Sequence, residues 1–323
     1  MKNSPKSRFC PHCGGKVLPD HRFCASCGTR QDFGFLDSDK VQTPEPRPNQ
    51  IDFKDLFQKM ESTLRRQSSL SNEDFDKHFG RFKTFDYKND TDEELYWKIV
   101  QVVFYSGMTA ATVTKRLPAI KKYFGSYRSA MDFGESDIKE MMNDKAIIRH
   151  EKKIKGCIRN AKRFSEIVKD HGSFGHYVES FGNLSEDATL EKLRKDLMKF
   201  EFLQLRGAYH LMLDMGLNVW KPDRVICRVL YRLGLIDSKN DIEKAVEVGR
   251  NVAVKVALPI RYIDIVFVKY GQKGAEEPFG LDDGICLEKT PRCHLCGIRE
   301  YCVRRIGSPL LIFSNEWTNQ AKN

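Results

Sequence analysis

Apolar residues recur at helical spacing from about Thr91 onward and predict a series of α-helices. Thr91 and Glu94 form a capping-box pattern, so the first of these helices is expected to begin there and to run through Phe104. A second helix is expected from Thr109 to Gly125, interrupted or restarted by a proline. Further helices are predicted over residues 136–144, 149–169, 190–200, 207–215, 223–234, 241–256 and 258–270.

The stretches before and after these helices have a different character. Residues 31–52 contain several prolines and few apolar groups, which predicts an extended, flexible linker. Residues 53–90 are polar with scattered Phe and Leu, and some helix is expected around Phe53–Gln67. We therefore divide the chain into a small unit over 1–30, the linker, a partly helical segment of open role over 53–90, a helical domain over 91–310 and a tail over 311–323.

Composition narrows the possible partners. The 323-residue chain is 41% hydrophobic, enough for a sizeable core. Its formal net charge is +10 at pH 7, an excess that favours a polyanionic partner. No apolar run approaches the ~20 residues that span a bilayer, and the basic N-terminus leads into cysteines instead of an apolar signal core. We therefore expect no membrane partner and a cytoplasmic protein.

Two C-x2-C hooks separated by ten residues stand near the N-terminus, formed by Cys10, Cys13, Cys24 and Cys27. This spacing is typical of a zinc ribbon, and the glycines after the second and fourth cysteines allow tight turns around the metal. Because so small a unit cannot bury enough core to fold alone, zinc is expected to stabilise it. The ribbon fits a docking module for DNA or for a protein, and equally a structural knob without a binding role.

Four further cysteines follow a C-x6-C-x2-C-x5-C pattern: Cys286, Cys293, Cys296 and Cys302. Four thiolates in one compact loop, residues 286–302, can hold a [4Fe–4S] cluster. Zinc is the rival metal, but structural zinc sites usually pair two short hooks, and only the middle two cysteines form one here. Thiolate ligands must stay reduced, which again favours the cytosol.

This cluster loop resembles that of the endonuclease III superfamily, the helix-hairpin-helix DNA glycosylases. The likeness lies in the cysteine spacing, in the Thr-Pro-Arg before Cys293, and in Gly271, which closes the preceding helix. It implies an all-α, two-lobed helix-hairpin-helix glycosylase fold with an iron–sulfur loop, to which the zinc ribbon is added. Basic side chains of the loop meet DNA phosphates in that family, which implies this role for Lys289, Arg292 and Arg299.

The first part of the helical domain is similar to the 3-methyladenine DNA glycosylase I group. Matching stretches lie at residues 106–116, 147–150 and 200–202, and the likeness covers roughly residues 91–220. That group carries a pocket glutamate where this chain has Val102, and a stacking tryptophan where it has Ala110. Its substrate is therefore not carried over. Alkylated purines, uracil, oxidised pyrimidines and mismatched bases all stay open.

The helix-hairpin-helix is expected over residues 190–216, with 203–206 as the hairpin. Such a hairpin aims backbone amides at a phosphate, which implies DNA contacts for Gln204, Arg206 and Gly207. Gln204 stands at a usual glycine position. Bifunctional members place a Schiff-base lysine where this chain has Arg206, whose guanidinium stays protonated, so a monofunctional enzyme is expected.

The segment after the hairpin resembles the catalytic segment of the superfamily, which implies Asp223 as the catalytic acid. A carboxylate there would stabilise the positive charge that builds on the deoxyribose and could orient or deprotonate a water molecule. A plain N-cap is the ordinary alternative. Arg224, Arg228 and Arg232 recur every four residues on the same helix, either along DNA or as a solvated face.

The resemblance also implies a wedge and a base pocket. Met108 is expected to fill the gap left by a flipped base, with core packing as the alternative. Trp97, Tyr105, Tyr209 and Trp220 are expected to line the pocket between the lobes, or else to be ordinary core aromatics.

Together these features predict a DNA glycosylase of base excision repair. It would act as a monomer on a damaged or mismatched base in double-stranded DNA, in the cytoplasm at the nucleoid. Two alternatives remain: a non-catalytic DNA-binding member of the same fold, and a bifunctional glycosylase/AP lyase that uses another amine, such as Lys221.

Overall fold

The computed structural model describes residues 8–9, 16–17, 51–274 and 277–303. The chain divides into two compact units, residues 1–45 and 46–323. In the first unit, strands β1 (Arg8–Phe9) and β2 (Lys16–Val17) pair antiparallel, with Arg8 opposite Val17. The expected zinc ligands Cys10, Cys13, Cys24 and Cys27, most of the linker and the tail lie outside the described residues.

The described residues of the second unit form fourteen α-helices and contain no β-strand. In chain order these are α1 (Phe53–Gln67), α2 (Asn72–Gly80), α3 (Asp92–Tyr105), α4 (Ala110–Thr114), α5 (Leu117–Phe124), α6 (Tyr127–Ala130), α7 (Glu135–Asn143), α8 (Glu151–His171), α9 (Phe174–Glu179), α10 (Asp187–Leu197), α11 (Leu205–Asp214), α12 (Arg224–Arg232), α13 (Ile242–Val256) and α14 (Ile260–Gly271). Short 3-10 helices lie at Arg81–Lys83, Tyr87–Asn89, Glu277–Phe279, Cys293–Leu295 and Arg299–Tyr301.

The helix boundaries follow local chemistry that the sequence shows. The capping box predicted at the start of α3 is present, with Thr91 and Glu94 bonded reciprocally. The second predicted helix is split into α4 and α5, and its proline lies in the first turn of α5. Helix α12 is capped by Asp223 and followed by Gly234, whose φ of 69° suits glycine.

Two apolar cores make the unit two-lobed, so the expected all-α, two-lobed fold is confirmed. The first core contains buried side chains from α3 to α11, and Val219 is the last residue of that stretch in it. The second core contains side chains of α1, α2 and α12–α14 together with the loop after α14. Trp220 belongs to the second core, so the chain passes between the lobes at residues 219–220.

Residues 53–90, whose role the sequence left open, are largely part of the second lobe. Leu56, Phe57, Met60 and Leu64 of α1 are buried in its core, and Phe75 and Phe79 of α2 stack at 4.2 Å between ring centroids. Helix α1 also reaches the cysteine loop, where Lys59 pairs with Glu300 at 2.7 Å. The second lobe is therefore built from both the first and the last described helical segments of this unit.

None of the helices in the described part of the chain combines the length and the apolar character that crossing a bilayer requires.

The packing of α13 on Trp220 gives a test of the second core. A Cβ added to Gly249 would lie 2.1 Å from Cε3 of Trp220. We expect Gly249→Ala to lower the free energy of unfolding by about 1–3 kcal/mol, because overpacking outweighs the helix propensity that alanine adds. Urea unfolding followed by circular dichroism measures this change.

Val254→Ala is the matched control, since Val254 lies on the same helix and is 72% exposed. If Gly249→Ala proves as stable as the wild type, the close packing of α13 on Trp220 is wrong.

Candidate active site and cysteine loop

The hairpin between α10 and α11 differs in detail from the predicted one. Helix α11 begins at Leu205, two residues before the predicted start, with Gln204 as its N-cap residue. Gln204, Leu205 and Arg206 are exposed, and the first amides of the helix have no acceptor within it. The exposed first turn of α11 can therefore accept an anion such as a phosphate.

Phe202, and not Gln204, adopts the left-handed backbone conformation of this hairpin, with φ of 65°. Gln204 has φ of −67°, which any residue adopts, so the missing glycine there costs the hairpin nothing. Glycine is needed instead at Gly207, where an added Cβ would lie 3.1 Å from the carbonyl oxygen of Phe202. Asn160 of α8 holds the loop in place by accepting from the Glu201 amide at 2.8 Å and donating to its carbonyl at 3.1 Å.

Asp223 lies just after the crossing between the two lobes. Its Oδ1 accepts hydrogen bonds from the amides of Val225 at 2.8 Å and Ile226 at 2.9 Å, so it is the N-cap of α12. Its Oδ2 lies 3.7 Å from Nζ of Lys221, and both side chains are about a quarter exposed, at 22% and 24%. One carboxylate oxygen is thus fixed by the helix while the other faces an accessible cation.

The hairpin and the aspartate are tied to each other. Nε of Arg206 donates to the carbonyl oxygen of Pro222 at 3.0 Å. This bond links the first turn of α11 to the residue that precedes Asp223. A phosphate held at the hairpin would therefore stand in a defined position relative to the carboxylate.

A largely buried cluster of charged side chains, formed by His210, Asp214, Arg261 and Asp264, lies near Asp223. The sequence did not predict it. Nε2 of His210 lies 3.2 Å from Oδ2 of Asp214 on the next turn of α11. Nε of Arg261, on α14, lies 3.0 Å from Oδ1 of Asp214, and its Nη1 donates to Asp264 at 3.0 Å. The cluster joins α11 of the first lobe to α14 of the second.

The ionisation of this cluster follows from its burial. Burial lowers the pKa of His210, and the nearby charge of Lys221 lowers it further. Burial opposes ionisation of Asp214, but the charges of His210 and Arg261 outweigh it and hold the pKa of that carboxyl well below its usual range. Burial raises the pKa of Asp264 to about 7, so the two aspartates that share Arg261 differ in charge below neutral pH.

The loop after α3 contains Met108, the residue expected either to act as a wedge or to fill the core. Met108 is half-buried and packs against the first core, while Gly107 beside it has φ of 72°. Lys153 of α8 is 3% exposed, and its Nζ donates to the carbonyl oxygens of Val103, Phe104 and Ser106 at 2.7, 2.8 and 2.5 Å. Burial lowers the pKa of Lys153 to about 8, which still leaves the ammonium charged at pH 7. A buried cation therefore fixes the end of α3 from which the loop departs.

The four aromatic residues expected in the pocket do not share one environment. Trp220 is fully buried in the second core against Phe267, at 4.9 Å between ring centroids. Trp97, Tyr105 and Tyr209 belong to the first lobe. Tyr105 is the one beside the charged cluster, with its ring 5.9 Å from that of His210.

Two of the three α12 arginines neither lie along an exposed DNA-facing surface nor form a solvated face, the two possibilities that the sequence left open. Arg228 and Arg232 are 6% and 4% exposed, so they form no solvated face. Arg228 donates to the carbonyl oxygens of Gly271 and Cys286 at 2.5 and 3.3 Å. Arg232 donates to Sγ of Cys286 at 3.1 Å and to the carbonyl oxygens of the next two residues at 2.7 and 2.9 Å. Helix α12 therefore holds the cysteine loop, while Arg224 remains exposed.

Two of the cysteine sulfurs accept hydrogen bonds, and burial raises the pKa of the Cys296 thiol. Besides the Arg232 bond to Cys286, the Tyr270 hydroxyl donates to Sγ of Cys296 at 3.3 Å. Cys286 and Cys293 lie close enough to act electrostatically on Cys296. Within residues 51–274 and 277–303, no three potential metal ligands converge as a single ion would require. The four cysteines and the hydrogen bonds to two of them are a donor set of the kind that holds a [4Fe–4S] cluster.

The basic residues of the loop divide into two kinds. Lys289 and Arg299 are exposed. Arg292 is half-buried and donates to the carbonyl oxygen of Asp283 at 3.0 Å, so it braces the loop from within.

The Lys153 bonds provide a test of the loop after α3. We expect Lys153→Met to lower the free energy of unfolding by about 2–3 kcal/mol, because carbonyl oxygens at the buried end of α3 lose their donor. Chemical denaturation measures this value. Lys152→Met is the control, since Lys152 is the exposed neighbour on the same helix. Equal stability of the two variants would show that the bonds from Lys153 to the end of α3, which we call the Lys153 clamp, do not stabilise the fold.

Comparison with known proteins finds one family match and several similar solved structures. The model of the methyladenine glycosylase family matches residues 66–205. A solved 3-methyladenine DNA glycosylase I is 23% identical over 39% of this chain and 80% of its own, with a TM-score of 0.35. The enzyme of that name from Staphylococcus aureus, solved to explain 3-methyladenine recognition, is 17% identical over 48% of this chain and 92% of its own, with a TM-score of 0.38.

A trapped endonuclease III–DNA covalent intermediate is 15% identical over 75% of this chain and 95% of its own, with a TM-score of 0.44. The family match covers most of the first lobe and the end of the segment before it, and it spans less than half of the chain. Through residues 66–205 the chain is similar to the methyladenine glycosylase family.

Proposed function

We propose that this protein is a DNA glycosylase that hydrolyses the N-glycosidic bond of a single base turned out of double-stranded DNA, with Asp223 as the catalytic carboxylate. The observation that carries the proposal is the position of Asp223 at the crossing between the lobes, with Oδ2 left free of backbone bonds. A carboxylate whose only role was to cap α12 would need just the oxygen that accepts from the helix amides.

The residues present support a simple reaction. As the bond from C1′ to the base nitrogen breaks, positive charge builds on the deoxyribose, and the Asp223 carboxylate stabilises it. Oδ2 then takes a proton from the water molecule whose oxygen bonds to C1′. The electron pair of the broken bond leaves with the base, which is protonated from solvent. Lys221, whose Nζ lies 3.7 Å from this oxygen, helps to hold the carboxylate in place.

The exposed elements around Asp223 would position the DNA. The first turn of α11, with Gln204, Arg206 and Gly207, would hold a phosphate through backbone amides. Met108 would enter the stack vacated by the base, since its loop is held by the Lys153 clamp and its side chain is only half-buried. Lys289 is exposed and would add a phosphate contact, while Arg292 would act mainly by bracing the loop.

A monofunctional reaction is favoured over a lyase reaction. Arg206 cannot form an imine, and its Nε is engaged by Pro222. The specific observation that favours the alternative is Lys221, a partly exposed amine next to the catalytic carboxylate. Borohydride trapping on DNA with an abasic site separates the two: a covalent adduct lost in Lys221→Met would establish the lyase.

The non-catalytic alternative is weakened by the hairpin. Gln204 at a usual glycine position would favour that alternative if glycine were needed there, but its ordinary backbone conformation removes the need. Val102 and Ala110 still depart from the related group, but both bear on the choice of base and not on the bond that is broken.

We propose two metal centres. Cys286, Cys293, Cys296 and Cys302 would hold a [4Fe–4S] cluster, whose contribution when bound is to cross-link the loop that α12 grips. Cys10, Cys13, Cys24 and Cys27 would hold zinc, supported by the antiparallel pairing of β1 and β2 on either side of the first two. The ribbon would bind DNA or a protein.

We propose a monomer that acts on nucleoid DNA in the cytoplasm, without a membrane partner.

Asp223→Asn tests the catalytic role with little structural cost. Asparagine caps helices as well as aspartate does, so stability should change by no more than a few tenths of a kcal/mol. Base release should fall by about 10²–10⁴-fold, because the charge and the basic oxygen are lost. The measurement is single-turnover release from duplexes that carry alkylated, deaminated or oxidised bases, scored with and without alkali.

Asp241→Asn is the matched control, since Asp241 is the N-cap of α13 and accepts from the Lys244 amide. It should retain full activity. Product from Asp223→Asn at the wild-type rate would contradict the proposed role, and binding without product on every duplex would establish the non-catalytic alternative.

Metal content tests the two centres separately. After anaerobic purification the chain should contain about four iron, four inorganic sulfide and one zinc. Cys296→Ala should lose iron and sulfide but keep zinc, and Cys24→Ala should do the reverse. Two zinc ions and no sulfide in the wild type would show that the C-terminal loop is a zinc site.

A further inference from the structure

Helices α3 and α11 face each other beside the proposed active site. A Cβ on Gly207 would lie 3.5 Å from Cγ1 of Val102, and one turn further along both helices the rings of Tyr105 and His210 are 5.9 Å apart. Val102 thus places an apolar side chain between the two helices. A polar ring stands one turn away on the opposite helix.

His210 is held in one orientation. Its Nε2 is paired with Asp214 at 3.2 Å, which makes Nε2 the protonated nitrogen of the neutral ring. Nδ1 forms no hydrogen bond with any residue of the described part of the chain. An oriented imidazole with one nitrogen engaged leaves the other as a fixed acceptor.

His210 also lies near the proposed catalytic groups, because Lys221 is close to both. Lys221, whose Nζ is 3.7 Å from Asp223, acts electrostatically on His210. A nucleotide whose sugar lay against Asp223 would therefore carry its base toward His210 and Tyr105. Tyr105 supplies a ring face for stacking, and His210 supplies an edge for hydrogen bonding.

The charges around this place argue against a cationic base. Both oxygens of Asp214 face partners, His210 and Arg261, and Asp223 faces Lys221. Lys221 and Arg261 add positive charge nearby. A positively charged base would have to compete with these cations for the two carboxylates, whereas a neutral base with an N–H group would satisfy the free nitrogen.

We infer that His210 contacts the flipped base through Nδ1 and selects neutral bases that present a ring N–H, the lactam type produced by deamination or oxidation. This inference rests on the proposed glycosylase function and specifies its substrate class. His210 would be the specificity-determining residue, and Asp214 the residue that positions it.

Binding can be measured without relying on catalysis. The probes are duplexes that carry hypoxanthine or 1-methylhypoxanthine on a 2′-fluoroarabino sugar, whose electron-withdrawing fluorine resists bond cleavage. The two bases differ in the ring N–H alone. A duplex with a tetrahydrofuran abasic analogue measures base-independent binding and reports on folding. Uracil and 3-methyluracil form the second pair.

The wild type should bind the N–H member of at least one pair about tenfold more tightly than the methylated member, the size expected for one buried hydrogen bond. His210→Leu should abolish this difference and bind the abasic analogue within twofold of the wild type. His176→Leu, on the exposed face of α9, should behave as the wild type. His210→Gln, which retains a donor for Asp214 and a carbonyl acceptor, should keep part of the difference and serves if the leucine variant does not fold.

Retention of the difference by His210→Leu, or a wild type that distinguishes neither pair, would overturn the inference. Preference of the wild type for a cationic alkylated base would also overturn it. Failure of the proposed function gives a separate result, namely no base release from any cleavable duplex, and leaves the binding comparison valid.

Discussion

The two buried arginines of α12 are the interaction on which the rest of the site depends. A guanidinium removed from water must find acceptors, and Arg228 and Arg232 find them in the backbone and a sulfur of the cysteine loop. The same helix is capped at its other end by Asp223. The carboxylate proposed to act on the sugar and the loop proposed to hold the cluster are therefore two ends of one rigid element.

Helix α8 supports the first lobe as α12 supports the cysteine loop. Lys153 holds the end of α3 and its loop, and Asn160 holds Glu201 at the hairpin. The residues proposed to enter the DNA stack and to hold a phosphate thus share one support. Because each bond is to backbone and not to a mobile side chain, the spacing of the two elements is fixed by the fold.

Local chemistry made much of the fold predictable. The capping box at Thr91, the proline in α5 and the glycine after α12 act on residues within a turn of themselves, and the structure has them as predicted.

Contacts between distant residues could not be predicted in this way. The four-residue spacing of Arg228 and Arg232 indicates that they share one helix face but not whether that face is exposed to solvent. The face is buried because the cysteine loop, about 55 residues later in the chain, packs on it. The His210–Asp214–Arg261 cluster likewise joins α11 to α14, and no motif in either helix predicts the other. For Trp220 the sequence leaves open a pocket or a core position, and the close approach of Gly249 places it in the second core.

The central claim is that Asp223, at the crossing between the lobes, faces the sugar of the flipped nucleotide. The most direct measurement is a crystal structure of Asp223→Asn bound to a duplex with a tetrahydrofuran abasic analogue. The account predicts that the residue 223 side chain contacts the analogue's sugar ring, that the first turn of α11 binds a neighbouring phosphate, and that Met108 fills the gap in the stack. A complex in which the DNA lies on another face and residue 223 contacts only the amides of α12 would contradict it.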